Sequence, residues 1–422
     1  FKDRVNPSIM SYGKIRASWG QNGNVNVLKN YAYIAGINTN GQFYNYGSTS
    51  AVTLGSMPNG IANPNLTWET SEQIDLGADF RFLNNRLTVG FDWYKKITKD
   101  LLVDAPTMPE SGVSTMTVNA GEVENSGFEV ELSWKDHIGD FKYGAKLSLS
   151  DSQSKILRYG NPTGSLSKYV EGELIGNIYG YTTIGIAKTD EEMQQHLASL
   201  PNGGQSALGS QWAAGDIMYA DLNGDGKINN GSYTINDMGD MKKIGNSTPR
   251  FMTGINLDAA YKGWDLQMFW QGVLKRDWWP GDKNMTFWGV TDGEWWSTSF
   301  KEHLDYFRTS ENPLGENLNS YYPRPIFNTK NNKSQTRYLQ NAAYMRLKNI
   351  QVGYTFPKVW INKLMLQNLR IFVSGENLLT ITSLSDTMDP ETCGAGYQST
   401  EQANGTVYPL AKTISFGLSV NF

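Results

Sequence analysis

The sequence has almost no cysteine and no long apolar run. Cys393 is its only cysteine, so an intrachain disulfide framework is excluded. No segment approaches the roughly 18 consecutive apolar residues that a membrane-spanning helix needs. The chain therefore cannot cross a bilayer as α-helices.

Charged residues and histidines are also scarce. Asp, Glu, Lys and Arg make up 18% of the 422 residues, below the roughly 25% usual in soluble globular domains. The net charge is −4 at pH 7, so no global basic field exists to hold a polyanion, and we expect no nucleic-acid partner. His137, His196 and His303 are too dispersed for a zinc site or a catalytic triad. We expect no enzymatic activity.

Aromatic residues and glycine are abundant instead. Aromatics make up 12% of the chain, with 22 Tyr and 13 Trp, and there are 43 Gly, a composition typical of β-rich proteins. In EQIDLGADFRF the alternate residues from Ile74 to Phe82 are apolar, while Asp75, Asp79 and Arg81 fall on the opposite face. This period of two predicts a strand with one apolar and one charged face.

Ten segments share this alternation, each close to the roughly 9–11 residues of a tilted membrane-spanning strand. We predict strands near 12–20, 72–83, 86–97, 124–135, 140–151, 250–261, 263–274, 342–355, 367–376 and 412–422. In the eighth, Met345 and Leu347 are out of phase with Ile350 and Val352, which predicts a β-bulge. The last strand ends on the aromatic Phe422, which resembles the carboxy-terminal signal that bacterial outer-membrane proteins present to their assembly machinery.

The connections between these strands alternate in length. The short ones are LNN, KDHIGD, KG and about a dozen residues beginning TFPKVW. The long ones are 21–71, 98–123, 152–249, 275–341 and 377–411. A soluble β-sandwich gives no reason for such a rule, whereas outer-membrane barrels have short periplasmic turns and long extracellular loops. The sequence therefore predicts an all-β fold, an antiparallel transmembrane β-barrel with long extracellular loops.

Several stretches resemble a known family. YGKIRASWGQNGN, DLNGDGKIN, KKIGNSTPRF, TRYLQNAAYMRLKNIQVGYTFP and RIFVSGENLLTIT together resemble the carboxy-terminal barrel of SusC/RagA-type TonB-dependent transporters of Bacteroidetes. The resemblance extends from about Tyr12 to Phe422. It implies a 22-stranded barrel with an amino-terminal plug, a TonB-contacting segment before the plug, and a SusD-like surface lipoprotein as partner.

The plug and the TonB-contacting segment have no counterpart in this sequence, and ten strands cannot close around a plug. Since the chain also begins with Phe1, we expect residues 1–422 to be the carboxy-terminal part of a longer polypeptide. The resemblance implies an integral protein of the outer membrane that imports an oligosaccharide or an oligopeptide with energy from the TonB complex. The rival interpretation is a soluble, calcium-stabilised glycan-binding β-protein or surface adhesin. A simple porin is a third possibility, disfavoured by the resemblance and by the long loops.

The segment DLNGDGKIN, residues 221–229, matches the start of an EF-hand calcium loop, although its flanks are not helical. The predicted calcium ligands are Asp221, Asn223, Asp225, Lys227 through its carbonyl, Asn229 through water, and Asp237. Position twelve is Ser232 rather than Glu, so Asp237 or Asp240 has to supply the second carboxylate. We expect a structural Ca²⁺ of weak, extracellular-type affinity; the alternative is an Asx- and Gly-rich turn without a metal.

Two further features lie in the predicted external loops. TDEEMQQHLASLPNGG predicts a short helix capped by Thr189, with Glu192 completing a capping box, Pro201 ending it and His196 on its surface. The segment 275–341 is rich in tryptophan: Trp278, Trp279, Trp288, Trp295 and Trp296. Flat aromatic faces suit stacking on sugar rings or gripping peptide side chains, so we predict these residues as cargo contacts. The alternative is that they form the loop's own core or an interfacial belt.

The carboxylates on the polar strand faces permit a second interpretation. Asp75, Asp79, Glu129 and Glu131 resemble a glycosidase pair in kind. Lysines and arginines alternate along the same faces, so we interpret these groups as solvated charges of a barrel lumen.

Overall fold

The computed structural model describes residues 6, 8–26, 28, 34, 36–46, 51–59, 61–108, 110, 115–295, 297–393 and 410–422. Its strands are β1 (Met10–Asn24), β2 (Gly36–Tyr46), β3 (Ala51–Asn59), β4 (Glu69–Phe82), β5 (Leu87–Pro106), β6 (Thr115–Ile138), β7 (Phe141–Arg158), β8 (Asn177–Tyr181), β9 (Thr183–Ile186), β10 (Ile217–Tyr219), β11 (Met241–Asn246), β12 (Arg250–Tyr261), β13 (Trp264–Lys275), β14 (Asp277–Trp278), β15 (Gln340–Asn341), β16 (Tyr344–Thr355), β17 (Asn368–Thr382) and β18 (Thr413–Asn421).

One open antiparallel sheet dominates the fold. Its ten strands lie in the order β1-β4-β5-β6-β7-β12-β13-β16-β17-β18, and each pairs antiparallel with the next. These are the ten strands that alternation predicts, so the predicted fold class is confirmed: the sheet is part of an antiparallel β-barrel.

The two faces of the sheet differ in polarity, as the alternation requires. Ile15 is opposite Ala78, which is opposite Phe91, so apolar side chains form a continuous row across β1, β4 and β5. Ile15 is 82% exposed in this row and Phe416 is 81% exposed on β18. The opposite face carries ion pairs such as Arg16–Asp79, at 2.9 Å. An exposed apolar face backed by a charged one is the pattern of a strand between lipid and a barrel lumen.

Helices are few and short. They are α1 (Asp190–Ala198), α2 (Met285–Trp288) and α3 (Lys358–Ile361), with single 3₁₀ turns at Gly289–Thr291, Lys301–Leu304, Lys330–Asn332 and Asn362–Leu364. None of the helices within the described residues has the length and apolarity to span a membrane. The Thr189 hydroxyl accepts from Glu192 N at 3.2 Å, as predicted for the cap of α1. The Glu192 carboxylate, however, accepts from Lys188 N rather than from the cap residue's own N–H.

The prediction of a long loop at 98–123 is wrong. β5 continues to Pro106 and β6 begins at Thr115. The strand pairing shifts register between Thr98 and Leu102, and Asp100 there has a left-handed φ of 58°. Such an irregularity breaks the period of two. For this reason the alternation in the sequence did not predict that β5 and β6 continue beyond it.

Other strands also differ at their outer ends. β7 runs to Arg158 and β17 to Thr382, beyond their predicted ends. The predicted connection 21–71 contains a hairpin of β2 and β3 that alternation did not indicate. The predicted bulge in the eighth strand is present: Trp270 pairs with Leu347 and Phe269 with Asn349, so Lys348 is the extra residue relative to β13. Pairing with β17 shifts at the same place, where Lys348 lies opposite two residues, Asn377 and Leu378.

Candidate functional site

The long outer connections fold together around one hydrophobic core. Tyr219 from 152–249, Trp288 from 275–341 and Leu384 from the β17–β18 connection all belong to one cluster of buried residues. Tyr219 and Trp288 have no exposed surface. We call this assembly, residues 159–249, 276–343 and 383–393, the loop body. It is a packed structure at the outer end of the sheet rather than a set of independent loops.

This packing corrects part of the tryptophan prediction. Trp278 is 4% exposed and Trp288 0%, and both contact Phe287 edge-to-face. Trp279 packs partly buried against the same core. Because these indoles fill the core, Trp278 and Trp288 offer no surface for stacking on cargo. Trp295 is 79% exposed, and Trp296 lies outside the described residues.

A buried ionic network joins the two longest connections. The Asp216 carboxylate, with no exposed surface, accepts from Arg324 Nε at 2.8 Å and from Asn331 Nδ2 at 2.9 Å. Lys330 Nζ lies 2.8 Å from its other oxygen and 4.5 Å from the Trp212 ring centre. Burial raises the pKa of Asp216, but these three donors together outweigh it, so the pKa lies below its ordinary value. Asp216 is therefore held as a carboxylate.

A second network ties the loop body to the sheet at the bulge. Arg346 of β16 is 3% exposed, and its guanidinium bonds Asp389 at 2.8 Å. Glu391 accepts from Lys348 at 3.0 Å. Arg346 Nη1 lies 3.0 Å from Glu391, but at an angle that does not make a hydrogen bond. The bulge places two cations beside these two acids, and the first residues of the β17–β18 connection are held against the barrel wall.

His303 is buried within the same body. Its Nδ1 accepts from Phe300 N at 2.9 Å, and its Nε2 lies 3.2 Å from Thr286 O, an arrangement that fits the neutral tautomer with the proton on Nε2. Burial lowers the pKa of His303. It is a packed core residue, and no sequence signal indicated that.

The predicted calcium loop has the backbone shape of its motif. Asp221 accepts from Gly224 N at 2.7 Å and from Gly226 N at 2.9 Å. Asn223 accepts from Asp225 N at 3.0 Å, and Asp225 accepts from Lys227 N at 3.1 Å. Gly226 has a φ of +77°, the left-handed conformation that the sixth position of such a loop needs. The side-chain oxygens thus curl the chain into a ring.

Asp240, rather than Asp237, closes this ring. The fully buried Asp240 carboxylate accepts from Leu222 N and from Asn229 N, both at 2.8 Å. Asp237 instead accepts from the Ser232 backbone and hydroxyl, at 2.8 and 2.6 Å, and so caps a neighbouring turn. Across the part of the chain that the structure describes, no three acidic, His or Cys side chains are grouped as a metal site. A calcium ion here would therefore rely on amide and carbonyl oxygens as well.

Three of the four carboxylates named above on the polar sheet face, Asp75, Asp79 and Glu131, have side-chain partners within the sheet. Asp79 binds Arg16 at 2.9 Å and Glu131 binds Lys146 at 3.1 Å. Asp75 accepts from Ser18 and Gln73. Cross-strand ion pairs of this kind satisfy the acids structurally.

An open cleft lies above β7, at the start of the loop body. It has a volume of about 330 Å³ and is lined by residues 156, 159, 166–170, 173–177 and 179. Tyr159 and Tyr169 meet there at right angles, with ring centres 5.4 Å apart. We call it the tyrosine cleft. The sequence analysis did not indicate this cleft, because its tyrosines follow no periodic pattern.

Comparisons with known proteins agree with this architecture. The family model described as "TonB dependent receptor-like, beta-barrel" matches residues 4–378. The chain is 30% identical to TonB-dependent receptor P3 of Formosa agariphila, covering 97% of this chain and 39% of that protein. It is 26% identical to TonB-dependent receptor SusC of Bacteroides thetaiotaomicron, covering 98% and 38%.

The fold is also that of a solved structure. The RagAB peptide transporter superposes with a TM-score of 0.69 at 20% identity, over all of this chain and 42% of that one. The chain thus spans about two fifths of the length of the relatives it matches.

Proposed function

Because the chain belongs to the TonB-dependent receptor-like β-barrel family and is of the SusC/RagA type, we propose that the complete protein actively imports an oligosaccharide or an oligopeptide across the outer membrane. The observation that carries the proposal is the ten-strand partial barrel, apolar on one face, with a packed loop body at one end. Energy would come from the TonB complex through the amino-terminal region of the complete protein. Cargo would be captured at the loop body, and a SusD-like lipoprotein would cover it.

The test of import is energy-dependent uptake. In cells that express the complete protein, accumulation of a fluorescent hexasaccharide or hexapeptide library should fall to the level of a gene deletion when a protonophore is added or tonB is deleted. Accumulation that persists without TonB would instead indicate a simple porin. No gene-dependent uptake, with protein that stays soluble without detergent, would favour the soluble calcium-stabilised adhesin.

The lipoprotein partner has its own test. Affinity purification of the complete protein from native outer membranes in mild detergent should yield a lipid-modified surface protein in equal amount. A protein purified alone under the same conditions, yet active in uptake, would contradict that part of the proposal.

We further propose that the 221–229 loop binds a structural Ca²⁺. Asp221, Asn223, Asp225, the Lys227 carbonyl and Asn229 would hold it, with Asp240 as the closing carboxylate. One observation supports this assignment. Asp240 is fully buried with Asp221 as its acidic neighbour. A cation would offset the repulsion of the two carboxylates.

A further inference from the structure

We infer that the tyrosine cleft is a subsite for a pyranose ring of the cargo, which rests on the proposed import function and selects the oligosaccharide over the peptide. The assignment uses the shape of the cleft, the fixed charges at its rim, its place on the barrel, and the strand edge beside it.

The cleft combines an apolar floor with aromatic walls. Ile156, which is 2% exposed, lies in its floor with Leu166 and Ile175. Tyr159 and Tyr169 stand perpendicular, so one ring offers its edge toward the face of the other. Tyr169 remains 40% exposed. A corner of two aromatic rings over an aliphatic floor suits a ligand with one flat apolar side, and the C–H face of a pyranose is such a side.

The rim of the cleft supplies fixed polar groups. Glu173 accepts from Asn177 Nδ2 at 2.6 Å and pairs with Lys243 at 2.6 Å. The carboxylate is therefore neutralised and held in place, with lone pairs left to accept from hydroxyl groups. Tyrosine hydroxyls both donate and accept. Groups of this kind can bond the hydroxyls of a sugar whose ring stacks beside them.

The size of the cleft fits one ring of a longer chain. Its volume of about 330 Å³ lies at the lower end of the roughly 300–1,000 Å³ found for small-molecule sites. A single ring of a longer chain would fill it, and the rest of the oligosaccharide would extend through the open side.

The cleft also lies where cargo would enter. Ile156 has the same strand parity as Ser154, whose hydroxyl bonds Asn125 on the polar face of the sheet. That face is the lumen side of the partial barrel. The floor of the cleft is thus the outward continuation of the lumen wall along β7.

The neighbouring backbone argues against an extended peptide. Peptides are commonly held by main-chain bonds to a free strand edge. Here the edge of upper β7 is already occupied, because Ile156 N donates to Glu173 O at 3.0 Å and Ile175 N donates to Ser154 O at 2.9 Å. The cleft therefore offers side-chain contacts for a ring rather than a backbone track.

The experiment measures binding to the complete protein purified with its co-purifying partner. The probes are fluorescent maltohexaose, cellohexaose, xylohexaose, mannohexaose and hexa-alanine. For whichever hexaose binds, Tyr169→Ala should lower the affinity tenfold or more, whereas Tyr169→Phe should stay within threefold because the ring remains. Phe327→Ala, in an aromatic ring of the loop body that is 83% exposed and lies outside the cleft lining, is the matched control and should leave the affinity unchanged.

A second measurement uses only the wild-type protein, so its result does not depend on whether the variants fold. In the wild-type protein, the bound hexaose should shield Tyr159 and Tyr169 from nitration by tetranitromethane, as read by peptide mass spectrometry. Tyr261, on the opposite end of the sheet and 46% exposed, should react equally with and without sugar.

Each outcome decides the proposal. Equal hexaose affinity of wild type and Tyr169→Ala, with no shielding, would overturn the subsite. Binding of hexa-alanine alone, or of no probe, would overturn the sugar assignment. Failure of the proposed import function would be seen in the uptake assay instead, as wild-type uptake that does not depend on TonB.

Discussion

Lys330 Nζ lies 2.8 Å from Asp216 Oδ2, with side-chain exposures of 3% and 0%. The two residues come from different outer connections, 114 positions apart in sequence, and meet inside the loop body. Their contact joins connections that are separate loops in the sequence, so the loop body is held together from within.

Asp216→Asn should loosen the loop body strongly. The substitution keeps the shape but leaves Arg324 and Lys330 without their buried anion, and breaking a buried pair typically costs about 3–5 kcal/mol. Amide hydrogen exchange in detergent should become faster in 210–220 and 324–335, while β12 and β13 of the sheet keep their protection. Lys283→Gln is the control: Lys283 pairs with Glu294 at the surface and is 64% exposed, so solvent screens the pair and its loss should change exchange little. Equal exchange in both variants would contradict a structural role for Asp216.

The tryptophans should divide into two classes. Trp288→Ala removes a side chain with no exposed surface and should destabilise the loop body by about 3–5 kcal/mol, the usual cost of such a cavity. Trp295→Ala should change stability by less than about 0.5 kcal/mol, as is usual for surface substitutions. Protease resistance of the loop body measures both. Comparable losses would mean that Trp295 also carries part of the core.

The success of the sequence prediction depended on how each region is built. In the sheet, one face is apolar and the other polar, so the period of two from Ile74 to Phe82 is written directly into the residues. The predicted strand ended before Asp100, which has a left-handed conformation, although β5 continues beyond it. One irregular residue reverses which face the following side chains occupy, so the alternation no longer matches. The bulge at Lys348 was predicted from the same kind of phase change, but its position required the pairing with β13.

The loop body was much less accessible to prediction. Its core draws Tyr219, Trp288 and Leu384 from segments far apart in sequence, and no local period marks a residue as buried in such a core. For this reason the buried Trp278 and Trp288 looked the same as the exposed Trp295. The choice between Asp237 and Asp240 also required the fold, since both lie at plausible spacing after the DLNGDGKIN motif and only Asp240 reaches back to it.

Acidification should weaken the loop body through His303. In the folded protein burial lowers the pKa of His303 below the ordinary 6.5, so the unfolded segment binds the proton more readily. The stability that the neutral ring contributes is complete above about pH 6.5 and is lost as the pH falls below it toward the folded pKa. The protection factors of the amides near 300–304, which correct for the intrinsic slowing of exchange at low pH, should fall between pH 7.5 and pH 5. In His303→Gln this fall in protection should disappear, although the variant is less stable throughout. Wild-type protection factors that do not fall would exclude His303 as the cause.

Calcium should protect the 221–240 segment from proteolysis. Substitution of Asp240 should remove this effect of calcium, whereas substitution of Asp237 should not. Chelation with EGTA is expected to increase cleavage of this segment by proteinase K, and added Ca²⁺ should reverse it with a midpoint on the order of 10⁻⁴–10⁻³ M, the range of extracellular sites without a bidentate Glu. Asp240→Asn should abolish the response to Ca²⁺, because this acid closes the ring around Asp221. Asp237→Asn should keep the response, since its carboxylate bonds Ser232 instead. If wild-type cleavage is the same with EGTA and with 5 mM Ca²⁺, the loop is an Asx- and Gly-rich turn that needs no metal, and its hydrogen bonds alone hold it.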